Sequence, residues 1–349
     1  MNWQTRGRIL RFVMALAACV ACGLANHAPA ADGPAKIRMG TLAPKGSSYF
    51  KHLQAMGEQW RQAPGGGATL IIYPDGTMGS EADMVRRMRL GQLQAGMLTV
   101  VGLTEIEPAV TGLQNMPMMF RTLDEVDFIG EKLEPMLEKR LAEKGFVVLG
   151  WCDTGWVRFF SKRPVIHPDD LRKAKLFVWA GNPADVDVYR SLGCNPVPLE
   201  TVDILPNLET GLIDAVALPP TIALAGQMYN VAPNMIELNW APLVAAAVIT
   251  KKAWDAIPPE TQAAMRKSAA EAVSLIKQDG RRESVESVEA MQKRGLKAQP
   301  ISPELFAEWL HEVEPAYPKI RGTIVPADIF DEVVAQLKAY RATQEAKKK

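Results

Sequence analysis

Lys36-Ile37-Arg38-Met39-Gly40-Thr41-Leu42 is followed by Ala43-Pro44-Lys45-Gly46 and then by Ser47-Ser48. The first run is short and apolar-polar, as a strand requires. The Pro/Gly tetrad is a turn, and the serines are N-caps for what comes next. To about Ala63, Phe50, Leu53, Met56 and Trp60 keep helical spacing. Pro64-Gly65-Gly66-Gly67 then ends the helix, and Ala68 to Tyr73 is again strand-like. The same alternation continues with a helix over Ser80–Leu90, a strand over Gly96–Val101, a helix over Leu123–Lys144 and a strand over Phe146–Trp151. A second set follows, with strands at Trp156–Ser161, Lys175–Trp179, Asn195–Val197, Ile213–Ala217 and Leu243–Thr250. Strands alternating with helices predict an α/β fold with a mostly parallel sheet. After Thr250 the pattern is helical, opened in turn at Pro258-Pro259-Glu260, Ser302 and Pro326.

Composition sets limits around that pattern. The chain has 349 residues, 48% of them apolar and 23% charged, which excludes wholesale disorder and leaves room for two domains. Forty Lys+Arg against 39 Asp+Glu give +1, so a nucleic-acid partner is not expected. Residues 1–30 have the form of an export signal: Arg6, Arg8 and Arg11, an apolar core over Phe12–Leu24, and Ala28-Pro29-Ala30 as the cleavage site. Its removal takes three positive charges and leaves about −2. Leu16-Ala17-Ala18-Cys19 offers a rival reading, a lipoprotein signal with Cys19 as the lipid anchor; both readings export the protein. Cys152 and Cys194 allow one disulfide, but their apolar surroundings favour two buried thiols.

Catalytic motifs are missing. His52, His167 and His311 are dispersed, and no phosphate loop, dinucleotide fingerprint, nucleophile elbow or metal-ligand spacing occurs. Asp169-Asp170 and Asp185/Asp187 fall at helix starts, where carboxylates cap and favour the dipole. No catalytic residue, metal or cofactor is therefore expected, and an exported binding protein is.

Several segments in order carry a resemblance. They are Lys36–Thr41, Tyr73-Pro74-Asp75-Gly76-Thr77-Met78-Gly79, Met84–Gly91, Pro164–Val178, Asn207-Leu208-Glu209-Thr210-Gly211-Leu212-Ile213-Asp214 and Ile249-Thr250-Lys251-Lys252-Ala253-Trp254. With them the chain resembles the DctP-type solute-binding proteins of TRAP transporters. The resemblance implies a two-lobed periplasmic-binding-protein fold of type II-like form, with the ligand cleft between the lobes and a helical C-terminal region. It places lobe 1 at residues 31–153 with 249–349, lobe 2 at 154–248, and crossings near Cys152 and Val248. It also implies delivery of a small molecule to the small and large TRAP membrane subunits, in the periplasm and peripheral to the inner membrane, without catalysis.

Two departures bear on the ligand. Where the family shows a Lys-Ile/Leu-Arg-Val strand whose Arg clamps a carboxylate, this chain has Lys175-Leu176-Phe177-Val178-Trp179. Where the family shows an Asp-Gly-x-Glu-Asn-Pro run, it has Asp214-Ala215-Val216-Ala217-Leu218-Pro219. Losing clamp and amide together points to a hydrophobic or weakly polar ligand. The expected ligand-binding set is Phe177, Trp179, Leu218, Trp151, Trp156, Arg158, Ser48, Met118 and Tyr229. Phe177, Trp179, Trp151, Trp156 and Tyr229 supply apolar planes, Met118 belongs to the flexible cluster Met116–Phe120, and Ser48 stands at a helix start. For each apolar residue the competing reading is core filling. Arg158 has two readings as well: a headgroup contact that would keep a carboxylate ligand, or a strand-edge salt bridge. A periplasmic sensor or scaffold on the same fold is the remaining functional alternative.

Overall fold

The computed structural model describes residues 34–180 and 183–348, and the residues from Lys36 onward form one compact unit. The export signal over 1–30 and Cys19 lie outside the described residues, as does the side chain of Asp185. Strand β1 (Ala35–Thr41) buries Ile37 and Met39, and Ser47 then accepts the Phe50 amide at 3.1 Å to start α1 (Ser48–Arg61). Phe50, Leu53, Met56 and Trp60 are the buried stripe of α1. The Gly65–Gly67 run returns the chain to β2 (Ala68–Tyr73); Gly67 has φ 66°, and a Cβ there would lie 2.5 Å from the Arg61 carbonyl oxygen. A capping box between Ser80 and Asp83 begins α2 (Glu81–Arg89). Next come β3 (Ala95–Thr99), α3 (Val100–Thr104), α4 (Leu123–Glu143) and β4 (Phe146–Ser161).

Then follow α5 (Pro168–Lys173), β5 (Lys175–Trp179), α6 (Pro183–Ser191), β6 (Asn195–Leu199), α7 (Ile204–Thr210), β7 (Ala215–Leu218) and α8 (Pro220–Ala225). Two further strands, β8 (Asn234–Ile236) and β9 (Ala241–Thr250), lead into α9 (Lys251–Asp255) and α10 (Pro259–Gln292). Strand β10 (Lys297–Gln299) precedes α11 (Pro303–Val313), α12 (Tyr317–Ile320) and α13 (Ala327–Lys348).

The strands form one ten-stranded sheet in the order β2-β1-β3-β9-β4-β7-β5-β6, with β8 on β4 and β10 on β8. Its flanks are parallel, β1 with β3 and β5 with both β6 and β7. The expectation of a mostly parallel sheet fails at the centre, where β9 runs antiparallel to β3 and β4, and β4 antiparallel to β7 and β8. The cause is the chain path: β4 leaves the first half of the sheet for the second and β9 returns. Phe146–Trp151 and Trp156–Ser161 were expected as separate strands but are the two ends of β4. The link Cys152–Gly155 breaks the apolar alternation; Cys152 and Asp153 still pair with β9, and Thr154 and Gly155 fall in a register shift before pairing resumes at Trp156. The expected strand over Gly96–Val101 stops at Thr99, whose hydroxyl accepts the Val101 amide at 3.2 Å and turns the run into α3. Periodicity in so short an apolar run cannot separate the two outcomes. β8 and β10, three residues each, are too short to carry a pattern.

Two buried apolar clusters result. One extends from Met84 on α2 through Trp156, Phe159 and Trp240 to α13, and the other gathers Phe160, Phe177, Val216, Leu218 and Met291. Helix α10, 34 residues and thus about 50 Å long, packs on α1, β4 and α8 and so touches both halves of the sheet. No helix among the described residues is long and apolar enough to cross a membrane.

Candidate functional site

A cleft of about 150 Å³ opens where these elements converge. Thr41–Pro44 bring the end of β1, Ser47–Tyr49 the start of α1, and Thr99 with Val101 the junction of β3 and α3. The opposite wall is Trp179 and Ala180 after β5, Glu200 and Thr201, and Thr221, Ile222 and Ala225 of α8. Thr154 of β4, Leu243 of β9 and Ile276, Gly280 and Glu283 of α10 close the floor. Strand C-termini facing helix N-termini at a change of sheet direction are where open α/β sheets place ligands. At Gly280 a Cβ would lie 3.1 Å from the Thr154 Cα, so glycine is what lets α10 approach β4 here.

The charged side chains in the lining are all acidic, and the other polar ones are neutral. Glu81 is 3% exposed; its carboxylate accepts the Thr99 amide at 2.8 Å, the Thr99 hydroxyl at 2.5 Å and the Gly102 amide at 2.9 Å. Burial pushes its pKa up, and those three hydrogen bonds pull only part of the way back. Glu283 accepts the Ser48 hydroxyl at 2.7 Å, while Arg282 reaches it only at 3.9 Å. Glu200 is exposed at the rim, and its carboxyl is raised by partial burial and by Asp83 and Asp203. Tyr49 keeps its phenol proton strongly, through burial first and then the neighbouring Cys152 thiol and Glu81. The Trp179 indole N–H donates to Thr201 Oγ1 at 3.2 Å. Thr154 is 8% exposed and its Oγ1 has no hydrogen-bond partner among the described residues. Among the described residues that line the cleft, none is Lys, Arg or His.

Of the residues expected at the site, Ser48 and Trp179 line this cleft. Phe177 shares a face with Trp179, their rings edge-to-face at 5.1 Å, but it is 1% exposed and lies in the core. It borders, with Trp179, a neighbouring cavity of about 30 Å³. Leu218 and Tyr229 are buried in the same cluster, the Tyr229 hydroxyl accepting from Arg294 at 3.3 Å. Trp156 and Met118 belong to the other cluster, and the Met118 amide donates to the Trp240 carbonyl at 2.7 Å. Trp151 borders a separate cavity of about 240 Å³ beside Asp127, Glu134 and Lys277, its indole N–H on Glu138 at 3.2 Å. Arg158 stands opposite Leu218 in the β4–β7 ladder, outside the cleft lining, and its buried Nε has no hydrogen-bond partner. Burial pushes its guanidinium pKa down, with Glu237 opposing. Cys152 and Cys194 are both free and buried. Asp170 caps α5 as expected, accepting the His167 amide at 3.0 Å.

Sequence reasoning missed Glu81, Glu200, Glu283, Tyr49 and Thr154. An acid just after a Ser N-cap, as Glu81 is, has the signature of ordinary capping, and Glu283 sits on a long polar-faced helix. No cluster of three or more metal-ligating side chains occurs among the described residues.

Residues 39–322 match the family DctP, described as bacterial extracellular solute-binding protein, family 7. A relative from Escherichia coli K12, a 2,3-diketo-L-gulonate-binding periplasmic protein, is 26% identical over 72% of this chain and 76% of its own. The C4-dicarboxylate-binding periplasmic protein of Rhodobacter capsulatus is 22% identical over 90% of this chain and 95% of its own. In structure, a TRAP periplasmic solute-binding protein of Xanthobacter autotrophicus with bound β-D-galacturonate superimposes with a TM-score of 0.79. It is 23% identical, over 87% of this chain and 99% of that one.

Proposed function

Since the chain belongs to the DctP family of bacterial extracellular solute-binding proteins, family 7, we propose that it is the periplasmic receptor of a TRAP-type transporter for a ligand other than a carboxylate. The ligand is hydrophobic or weakly polar, and delivery is to the small and large membrane subunits. The relatives named above are described with acidic ligands, for which a Lys or Arg opposite the carboxylate is a common partner. The observation that carries the reading is the lining of this cleft, where Trp179, Ile222, Leu243 and Ile276 meet carboxylates and no Lys, Arg or His. An anion brought there would lose its hydration with no charge to replace it.

Residues 31–153 with 249–349 form one lobe in this reading and 154–248 the other. The hinge is the register shift between Asp153 and Trp156, where Gly155 takes φ 84°, together with the return strand β9. The N-terminus is cleaved after Ala30 or lipidated at Cys19, and the mass of the mature N-terminus separates the two.

Native mass spectrometry of protein purified from an export host, followed by solvent extraction, tests the reading. A bound neutral or apolar molecule lost on Trp179→Ala supports it. A bound sugar acid or dicarboxylate lost on Arg158→Ala overturns it in favour of a second reading. That reading rests on the unsatisfied Nε of Arg158, which would then turn into the cleft on closure.

A further inference from the structure

We infer that the ligand carries a cationic head, a small organic ammonium with apolar substituents, held between Trp179 and the carboxylates of Glu81, Glu200 and Glu283. The inference rests on the non-carboxylate part of the receptor reading above and puts a cationic head in place of its hydrophobic or weakly polar ligand. Three carboxylates line one cleft without a basic side chain among the described lining residues. They come from three separate elements: Glu81 begins α2, Glu200 follows β6, and Glu283 belongs to α10. Convergence from three elements makes this a property of the cleft and not of one polar surface.

Two basic residues beside these acids have shorter pairs of their own. Arg86 pairs with Asp83 at 2.6 Å, and Arg282 pairs with Asp279 at 2.7 Å and Glu286 at 3.3 Å, reaching Glu283 only at 3.9 Å. Glu81 has three hydrogen bonds, donated by Thr99 and Gly102, and no ion pair among the described residues. A second, independent feature asks for a ligand: Thr154 lines the same cleft, is more than nine-tenths buried, and its Oγ1 has no partner among the described residues. A buried hydroxyl left in that state costs free energy until something bonds to it. Trp179 supplies the aromatic plane. Its N–H edge is held by Thr201 and a second edge-to-face contact comes from Phe177, so the ring is fixed in place for an ammonium to approach. Ile222, Leu243 and Ile276 suit the apolar substituents such a cation would bring.

Calorimetric titration of the mature protein at neutral pH with three probes of one shape tests this. The probes are choline, its neutral isostere 3,3-dimethylbutan-1-ol, and the anion 3,3-dimethylbutanoate. The expected result is choline binding about tenfold or more tighter than the alcohol, with no binding of the anion. Glu200→Gln, at an exposed position that the fold does not depend on, should weaken choline about tenfold and leave the alcohol unchanged. Trp179→Leu should likewise weaken choline more than the alcohol. Equal affinity for choline and the alcohol, or no choline binding, overturns the cationic head while leaving the non-carboxylate reading in place. Tightest binding of the anion overturns both.

Discussion

Arg281 holds the hinge end of the cleft together, and removing it has a calculable consequence. Its Nε and Nη2 donate to Asp153 at 2.9 and 2.6 Å, and its Nη1 and Nη2 donate to Asp127 at 2.9 and 2.6 Å. Asp127 keeps a second partner in Lys277, but Asp153 is 3% exposed and pairs with no other cation among the described residues. In Arg281→Met the cost is therefore mainly a buried carboxylate left unpaired at Asp153, about 3–5 kcal/mol. For a chain of this length each kcal/mol moves the melting temperature by about 1.5 °C, so thermal unfolding followed by circular dichroism should show a loss of about 5–8 °C. The double variant Arg281→Met/Asp153→Asn removes the stranded charge, and its amide oxygen still accepts the Gly155 N–H that Asp153 Oδ1 holds at 3.0 Å. More than half of the loss should then return. A change below about 1 °C in the single variant would mean that water screens the pair. Failure of the second substitution to restore stability would show that lost packing, not unpaired charge, is the cost.

The same network fixes an acid limb. Burial would raise the Asp127 carboxyl, but Arg281 and Lys277 outweigh it and hold it below the ordinary range. Because the folded-state value is the lower one, this contribution is complete above the unfolded carboxylate range. It fades as pH falls through the folded value, below about pH 4. The melting temperature of the native protein should fall more steeply there than that of Arg281→Met.

Glu134 is perturbed the opposite way: burial first, then Glu138, raises it to about 7. Folding therefore loses stability as pH rises from about 4.5 through 7, and Glu134→Gln should gain about 1–2 kcal/mol at pH 8 and nothing at pH 4, read from urea midpoints. Cys152 and Cys194 are buried thiols, the latter pushed up to about 11 by desolvation. Neither should react with a thiol reagent at pH 8 until the chain is denatured, and fast native labelling would contradict the packing. Phe177→Ala should cost about 3–5 kcal/mol by chemical denaturation, as for a core aromatic; a cost under about 1 kcal/mol would mean that Phe177 faces open space.

Local chemistry made much of the fold legible. The Ser47, Ser80, Thr122 and Ser302 caps, and Pro259 at the start of α10, all act within a few residues of their own position. The continuity of β4 was not legible, because Asp153-Thr154-Gly155 interrupts an apolar pattern and is sustained by Arg281, 128 residues further along. Strand parity correctly put Phe177 and Trp179 on one face. Parity fixes the face but not the depth: Phe177 joins a buried cluster with residues of α7, α8 and Met291, while Trp179 reaches the cleft. Reading Phe177 at the place of a clamp Arg points away from a carboxylate without saying what would replace it. That answer is a sum over lining residues from the start of α1 to Glu283 of α10, and no motif contains it. Glu81 shows why: in sequence it is one more acid in a helix's first turn, and only when β3 and α3 close around it does its carboxyl group join the lining of the cleft.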